Sequence, residues 1–333
     1  MSEKRYKIRK DRISAVLMAV VVSTIILIIL SRCRQSKVTE SSSVKIQTSV
    51  STACTALLAE EPVTTVQPVT IPHIDSPEYR AAAMYSVNDK KYLYSDNINI
   101  KIAPASLTKL LTASVALKYA DKEKVFAVGS EQWLVQPYSS LCYLQIGNML
   151  TLEDLITGML MASGNDAAYT IAVCVARELN TETYMTDDEA VRYFCTLMND
   201  FAHELGMTDS SFVNPDGWDD DEQYTTISDL IKISEYALSV PEIRQITSTY
   251  KKNITIYSGE NFIWTNSNLL LDPNSGYYTV DAVGMKTGTT LSAGNSLIAV
   301  FDRGEEIYIS VAAGCETDAD RYELTLKLLS FSE

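Results

Sequence analysis

The stretch "IAPASLTKLLTASVALKYA", residues 102–120, turns from extended to helical at its fifth position. Pro104 and Ala105 close off the extended part, and Ser106 opens a run with Leu107, Leu110, Leu111, Val115 and Leu117 at helical spacing. The run also carries a serine and a lysine three apart, Ser106 and Lys109, which a helix puts on one face a turn apart. A capped amphipathic helix accounts for this pattern as readily as chemistry does. Ser-x-x-Lys also occurs at Ser42–Lys45 and at Ser248–Lys251, so the pair by itself identifies nothing.

Downstream, residues 151–162, 165–180, 186–205 and 226–238 repeat apolar positions at i, i+3 and i+4 and read as a belt of helices. From about 252 the character changes. "KNITIYS", "NFIWTNS", "AVGMKTGTT", "NSLIAVFDRGE" and "EIYISVAAGC" read as strands, and a helix at 317–330 closes the chain. Upstream, "AAAMYSVNDKKYLYSDN" holds two strand-like runs around Asn88-Asp89-Lys90, a hairpin. Strands at both ends with helices between them predict an α+β domain over 76–333. The hairpin would join the late strands in one mainly antiparallel sheet flanked by helices.

Residues 13–30, "ISAVLMAVVVSTIILIIL", hold no charge over 18 positions, about 27 Å of helix and close to the hydrocarbon thickness of a bilayer. Lys4, Arg5, Lys7, Arg9, Lys10 and Arg12 precede the run, which predicts a cytoplasmic tail at 1–12, a transmembrane anchor at 13–30 and export of the rest. The following "SRCRQSK" offers no small-x-small cleavage site, and Arg32 stands where a lipid-attachment cysteine at 33 would need a small residue. Residues 31–75 are rich in Ser, Thr and Val with Pro62, Pro68 and Pro72, and read as a flexible tether spanning about 35–40 Å.

Nine of the 28 basic residues lie in 1–37, leaving 19 against 40 acidic residues in 38–333, a net charge of −21. Such a surface is wrong for nucleic acid, whose phosphates need basic contacts. The six cysteines, at 33, 54, 142, 174, 195 and 315, show no zinc-ligand spacing. The two histidines are His73, in the tether, and His203, in a helix with no partner suggested by the pattern. No H-E-x-x-H occurs, so neither a metal centre nor a Ser-His-Asp triad finds support. Asp219-Asp220-Asp221-Glu222 does not match a calcium loop and reads as a solvated acidic loop.

A serine enzyme without histidine needs another base, and a lysine serves if its pKa is lowered by burial or by a second cation. Ser106 at a helix start would also lie where backbone N–H groups point at a developing anion. Two later motifs supply the rest. "MASGNDAAYT" holds Ser163-Gly164-Asn165 between two helices, and "VGMKTGTTLSAGNS" holds Lys286-Thr287-Gly288 in a strand. Asn165 can bind a substrate amide, Ser163 can relay a proton, and Lys286 supplies the second cation. Gly288 lets a ligand backbone approach the strand.

The set Ser-x-x-Lys, Ser-x-Asn, Lys-Thr-Gly resembles that of penicillin-binding proteins and serine β-lactamases. "PASLTKLLTA", "SGNDAA", "NPDGWDDDEQYTTISDL" and "GMKTGTT" are most similar to the D-alanyl-D-alanine carboxypeptidases of low molecular mass. The resemblance implies a serine β-lactamase/DD-peptidase-like fold and an acyl-enzyme on Ser106, with Lys109 as base and Ser163 protonating the departing D-alanine. It implies that Lys286, Thr287, Gly288 and Thr289 line the site, and that the N–H groups of Ser106 and Thr289 form an oxyanion hole. Arg321, in "DADRYELTLKLL", would hold the terminal carboxylate of the substrate. Peptidoglycan stem peptides ending D-Ala-D-Ala are the implied partners and β-lactams the implied inhibitors, with no cofactor and no metal. Relatives often carry a histidine where "NPDGW" has Asp216, which sets that loop apart from the chemistry. The rival readings are a β-lactamase, for which the S-G-N motif and the missing loop glutamate are wrong, and a silent peptidoglycan-binding module.

Overall fold

The protein is described from a computed structural model that covers residues 77–332. The apolar run at 13–30, the tether, Ser42–Lys45, His73, Cys33 and Cys54 lie outside the described residues. Among the described residues no helix is long and apolar enough to cross a membrane. The hairpin forms as β1 (Ala81–Ser86) and β2 (Lys91–Asp96). A 3-10 turn at Ala105–Leu107 leads into α1 (Thr108–Tyr119), and a short ribbon pairs β3 (Val125–Ala127) with β4 (Met149–Thr151). Then come α2 (Leu152–Met161), α3 (Asn165–Leu179), α4 (Asp187–Glu204) and α5 (Ile227–Ser239), within a residue or so of the predicted spans. A further helix, α6 (Pro241–Ser248), starts with proline at its first position, where the missing N–H costs nothing. The chain continues through β5 (Lys251–Thr255), β6 (Asn261–Thr265), β7 (Ala282–Thr290), β8 (Gly294–Asp302) and β9 (Ile307–Cys315) to α7 (Asp318–Leu329).

Threonines set the helix starts. Thr151 and Thr226 accept from the backbone N–H three residues on, and Thr186 and Thr317 form reciprocal capping boxes with Glu189 and Asp320. Each such cap contributes about 1 kcal/mol.

The main sheet runs β2-β1-β9-β8-β7, every neighbouring pair antiparallel. The first hairpin therefore joins the last strands, as the order of elements predicts. The other late pair departs from that expectation: β5 and β6 form a separate two-stranded sheet. One face of this ribbon stays in water, and the other is pinned by Trp264, whose indole N–H donates to Cys142 O at 3.1 Å. The Trp264 ring abuts Gly158 of α2, while Ile263 on the other face is exposed.

The sheet is buried on both faces, and its alternation divides the core. Ala81, Ala83, Tyr85, Ile298, Val300, Ile309 and Val311 face the helical belt. Ala82, Met84, Leu297, Ala299, Phe301 and Ala312 pack with Tyr322, Leu324 and Leu328 of α7. Within the belt, α1 packs against α2, α3, α4 and α5. All nine residues Thr108–Ala116 are buried, so α1 is not amphipathic, as its apolar spacing suggests, but enclosed. Of its buried hydroxyls, Thr112 Oγ1 donates to Pro215 O and Ser114 Oγ to Leu110 O, both at 2.7 Å, while Thr108 Oγ1 has no partner.

Candidate active site

Ser106 does not cap α1. The cap position is Leu107, which leaves the serine in the preceding 3-10 turn, half-buried at the edge of a cleft. Ala105 before it adopts φ +48°, a left-handed conformation that costs a non-glycine residue about 1–2 kcal/mol. The loop containing Gly217 closes over this bend. Gly217 has φ +90°, and a Cβ there would lie 1.8 Å from Ala105 O, so only glycine fits.

Lys109, one turn into the helix, is fully buried. Its Nζ lies 2.8 Å from Ser106 Oγ, 2.7 Å from Asn165 Oδ1 and 2.7 Å from the backbone O of Asp216. Burial pushes its pKa down to about 8, against the opposing pull of Asp216, Asp166 and Cys142. Three acceptors match the three N–H bonds of an ammonium. In the neutral amine, two N–H bonds hold Asn165 and Asp216, and the lone pair faces the Ser106 hydroxyl. That is the geometry of a base.

A second pair assembles from the other two motifs. Ser163, at the junction of α2 and α3 with φ +57°, accepts from Lys286 Nζ at 3.0 Å. Lys286, on β7, also donates to Thr287 O at 3.0 Å. Burial, then the charges of Lys109 and Arg321, hold its pKa well below the usual lysine range. Thr287 Oγ1 lies 2.6 Å from Ser267 Oγ. At Gly288 the strand passes so near the helix start that a Cβ would meet Ala105 Cβ at 3.1 Å and Ser106 N at 3.2 Å. The next residue, Thr289, is exposed to the cleft.

Arg321 is no surface arginine. It reaches from α7 to Thr289 Oγ1 at 3.0 Å and to the carbonyls of Gly288 and Ser296, both at 3.3 Å, on β7 and β8, and pairs with Asp318. His203, by contrast, is exposed on the last turn of α4. The cysteines at 142, 174, 195 and 315 are free thiols.

The loop set apart in the sequence proves to be part of the site. Besides lending its carbonyl to Lys109, Asp216 is 1% exposed, and burial raises its carboxyl pKa. Asp219, read as one of a solvated acidic run, instead accepts from Thr290 Oγ1 at 2.5 Å and Ser292 N at 2.9 Å, strapping this loop to the β7–β8 turn. Asp220 to Glu222 are exposed as read. Ser267 carries no motif and was equally invisible. The turn signal Asn214-Pro215 with Gly217 was the available hint that a tight loop packs near α1. Over the whole assembly lies a cleft of about 690 Å³, whose walls include Ser106, Asn165, Thr289, Tyr138, Trp218 and Leu291.

The sequence profile of Peptidase S11, D-alanyl-D-alanine carboxypeptidase, matches residues 65–317. D-alanyl-D-alanine carboxypeptidase DacC of Escherichia coli (strain K12) is 32% identical over 278 residues, covering 80% of this chain and 63% of the relative. D-alanyl-D-alanine carboxypeptidase DacF of Bacillus subtilis (strain 168) is 29% identical over 258 residues, covering 77% of this chain and 62% of the relative. The chain thus spans about three fifths of the length of these curated relatives. The crystal structure of the Streptomyces K15 DD-transpeptidase has the same fold, with a TM-score of 0.68 at 24% identity over 78% of this chain and 98% of that one. With the profile matched over most of its length, the chain belongs to the D-alanyl-D-alanine carboxypeptidase family.

Proposed function

We propose that the protein is a serine-type D-Ala-D-Ala carboxypeptidase that trims the terminal D-alanine from peptidoglycan stem peptides and is acylated by β-lactams. The observation that carries this reading is the buried Lys109 amine, 2.8 Å from the Ser106 hydroxyl with its pKa lowered to about 8. Ser106 Oγ bonds to the carbonyl carbon of the penultimate D-alanine while its proton passes to Lys109 Nζ. The oxyanion sits between the N–H groups of Ser106 and Thr289. Collapse breaks the C–N bond, and the leaving amine takes a proton from Ser163 Oγ, which Lys286 Nζ replaces across 3.0 Å. Asn165 holds the substrate amide, and Arg321, through Thr289, orders the strand that receives the terminal carboxylate. Water then bonds to the ester carbonyl carbon while one of its protons passes through Ser163 to Lys286, and as the C–Oγ bond breaks Ser106 Oγ takes back the proton held on Lys109.

The apolar run 13–30 supports a single-pass anchor with residues 1–12 in the cytoplasm and the catalytic domain outside. The deciding experiment is to incubate the full-length chain in detergent with a peptide ending D-Ala-D-Ala and to assay free D-alanine. Release at catalytic rates supports the reading. Its absence from a protein that folds and binds the peptide would sink it. Full-length protein should also stay in the membrane fraction, and a shortened, freely secreted form would remove the anchor.

A further inference from the structure

The charges beneath the cleft do not pair in the obvious way. Lys109 is a fully buried cation whose three hydrogen-bond partners, Ser106 Oγ, Asn165 Oδ1 and the Asp216 carbonyl, are all neutral. Two buried carboxylates act on it from a distance, Asp216 and Asp166. Asp166 is already occupied: it accepts from the backbone N–H groups of Cys142, Leu144 and Ala167 at 2.9–3.0 Å, a set that disperses its charge. Asp216 is not. Its Oδ1 takes one long bond from Trp218 N at 3.3 Å, the Asn165 side chain lies beside it, and its Oδ2 is buried with no partner. A buried carboxylate with an unpaired oxygen is costly unless a nearby cation shares the site.

We propose that the Asp216 carboxylate is a positioning residue for Lys109, the buried counter-charge that sets the pH at which this lysine becomes a base. The inference rests on the reading of Lys109 as the base for Ser106. The other ionisable groups that face Asp216 are Tyr169 from α3 and Cys195 from α4. Burial, then Asp216 itself, raises the pKa of both, the thiol to about 12, so both are neutral and only Lys109 answers its charge. Lys109 in turn faces Asp216, Asp166 and the neutral Cys142, and it acts on the second cation, Lys286 of β7. A negative Asp216 favours the ammonium form. Removing that charge lets Lys109 lose its proton at lower pH, and acylation gains on the acid side.

The test is the rate of acylation of full-length protein by a fluorescent penicillin between pH 5.5 and 9.5, each profile scaled to its own alkaline plateau. Asp216→Asn should move the midpoint to lower pH and raise the scaled rate on the acid limb about tenfold, the size expected for one nearby charge. Asp216→Glu, which keeps the charge, should hold the wild-type midpoint. Coincident midpoints for wild type and Asp216→Asn would overturn the proposal. A second measurement needs no variant: the carboxyl carbon resonance of Asp216 in wild type should shift at the pH of the acylation midpoint, and a flat response there would also overturn it. Failure of the wild type to be acylated at any pH is a different result, which sinks the proposed function.

Discussion

Ser106–Lys109 and Ser248–Lys251 share a spacing and almost nothing else. The first pair straddles a 3-10 turn and the enclosed helix α1, so its lysine meets Asn165 from α3 and the Asp216 carbonyl from a distant loop. The second straddles the end of α6 and the start of β5, where the chain has already turned extended at Thr249. There Ser248 donates back into its own helix, to Gln245 O at 3.1 Å, and Lys251 stands in water. Residues far away in sequence make the difference. A lysine becomes a base when the fold removes its solvent and supplies neutral acceptors, and four letters of sequence specify neither.

That contrast can be broken most directly at the two serines. Penicillin should add once per chain, at Ser106, and Ser106→Ala should abolish the adduct while Ser248→Ala leaves it intact. Intact-mass spectrometry with peptide mapping reads the outcome, and labelling of Ser248 or Ser42 would erase the distinction. Loss of the lysines comes next in size. Lys109→Ala should slow acylation by about 10²–10⁴, the usual cost of a positioned general base, and Lys251→Ala should not change it. The pH profile sharpens the point. Because burial lowers Lys109 to about 8, its amine is increasingly free as pH rises through that value, so acylation should rise to a plateau above about 8. A rate independent of pH from 6 to 9 would remove Lys109 as the base. The smallest effect concerns the scaffold. Thr186→Ala, which deletes a capping box, should cost about 1 kcal/mol in denaturant unfolding, and Ser248→Ala at an exposed helix end should stay within about 0.5 kcal/mol.

Much of this architecture is written locally. Threonines at 151, 186, 226 and 317 stand just before the apolar periods they cap, which is why the helix bounds are readable. The near-continuous apolar runs of β1, β8 and β9 likewise announce strands buried on both faces. They do not announce what covers the second face, since that depends on α7 returning to it. The ribbon β5–β6 shows the same limit: its strands are legible, but their separation from the main sheet is fixed by the seat of Trp264 against α2. At the site, Ser106, Lys109, Ser163, Asn165 and Lys286 are visible because three motifs occur in order. Asp216 and Ser267 are not, because Asp216 brings a backbone carbonyl and a buried carboxylate to Lys109 from a distant loop and Ser267 makes a single hydroxyl contact, none of which leaves a pattern. Arg321 is legible only through the family resemblance, and its contacts with Gly288, Thr289 and Ser296 appear only when α7 folds against the sheet.

The enclosure of α1 has a practical corollary for anyone handling the protein. The buried run 108–116 of this helix, packed against α2 to α5, has no local route to exchange its amides with solvent, so those protons should be released only when the whole domain opens, later than those of the last turn around the exposed Lys118. Ser106 is joined directly to that helix. On the proposed function, covalent labelling by a fluorescent penicillin should therefore double as a thermometer of global integrity, fading along the same melting curve as the spectroscopic signal of the fold rather than ahead of it.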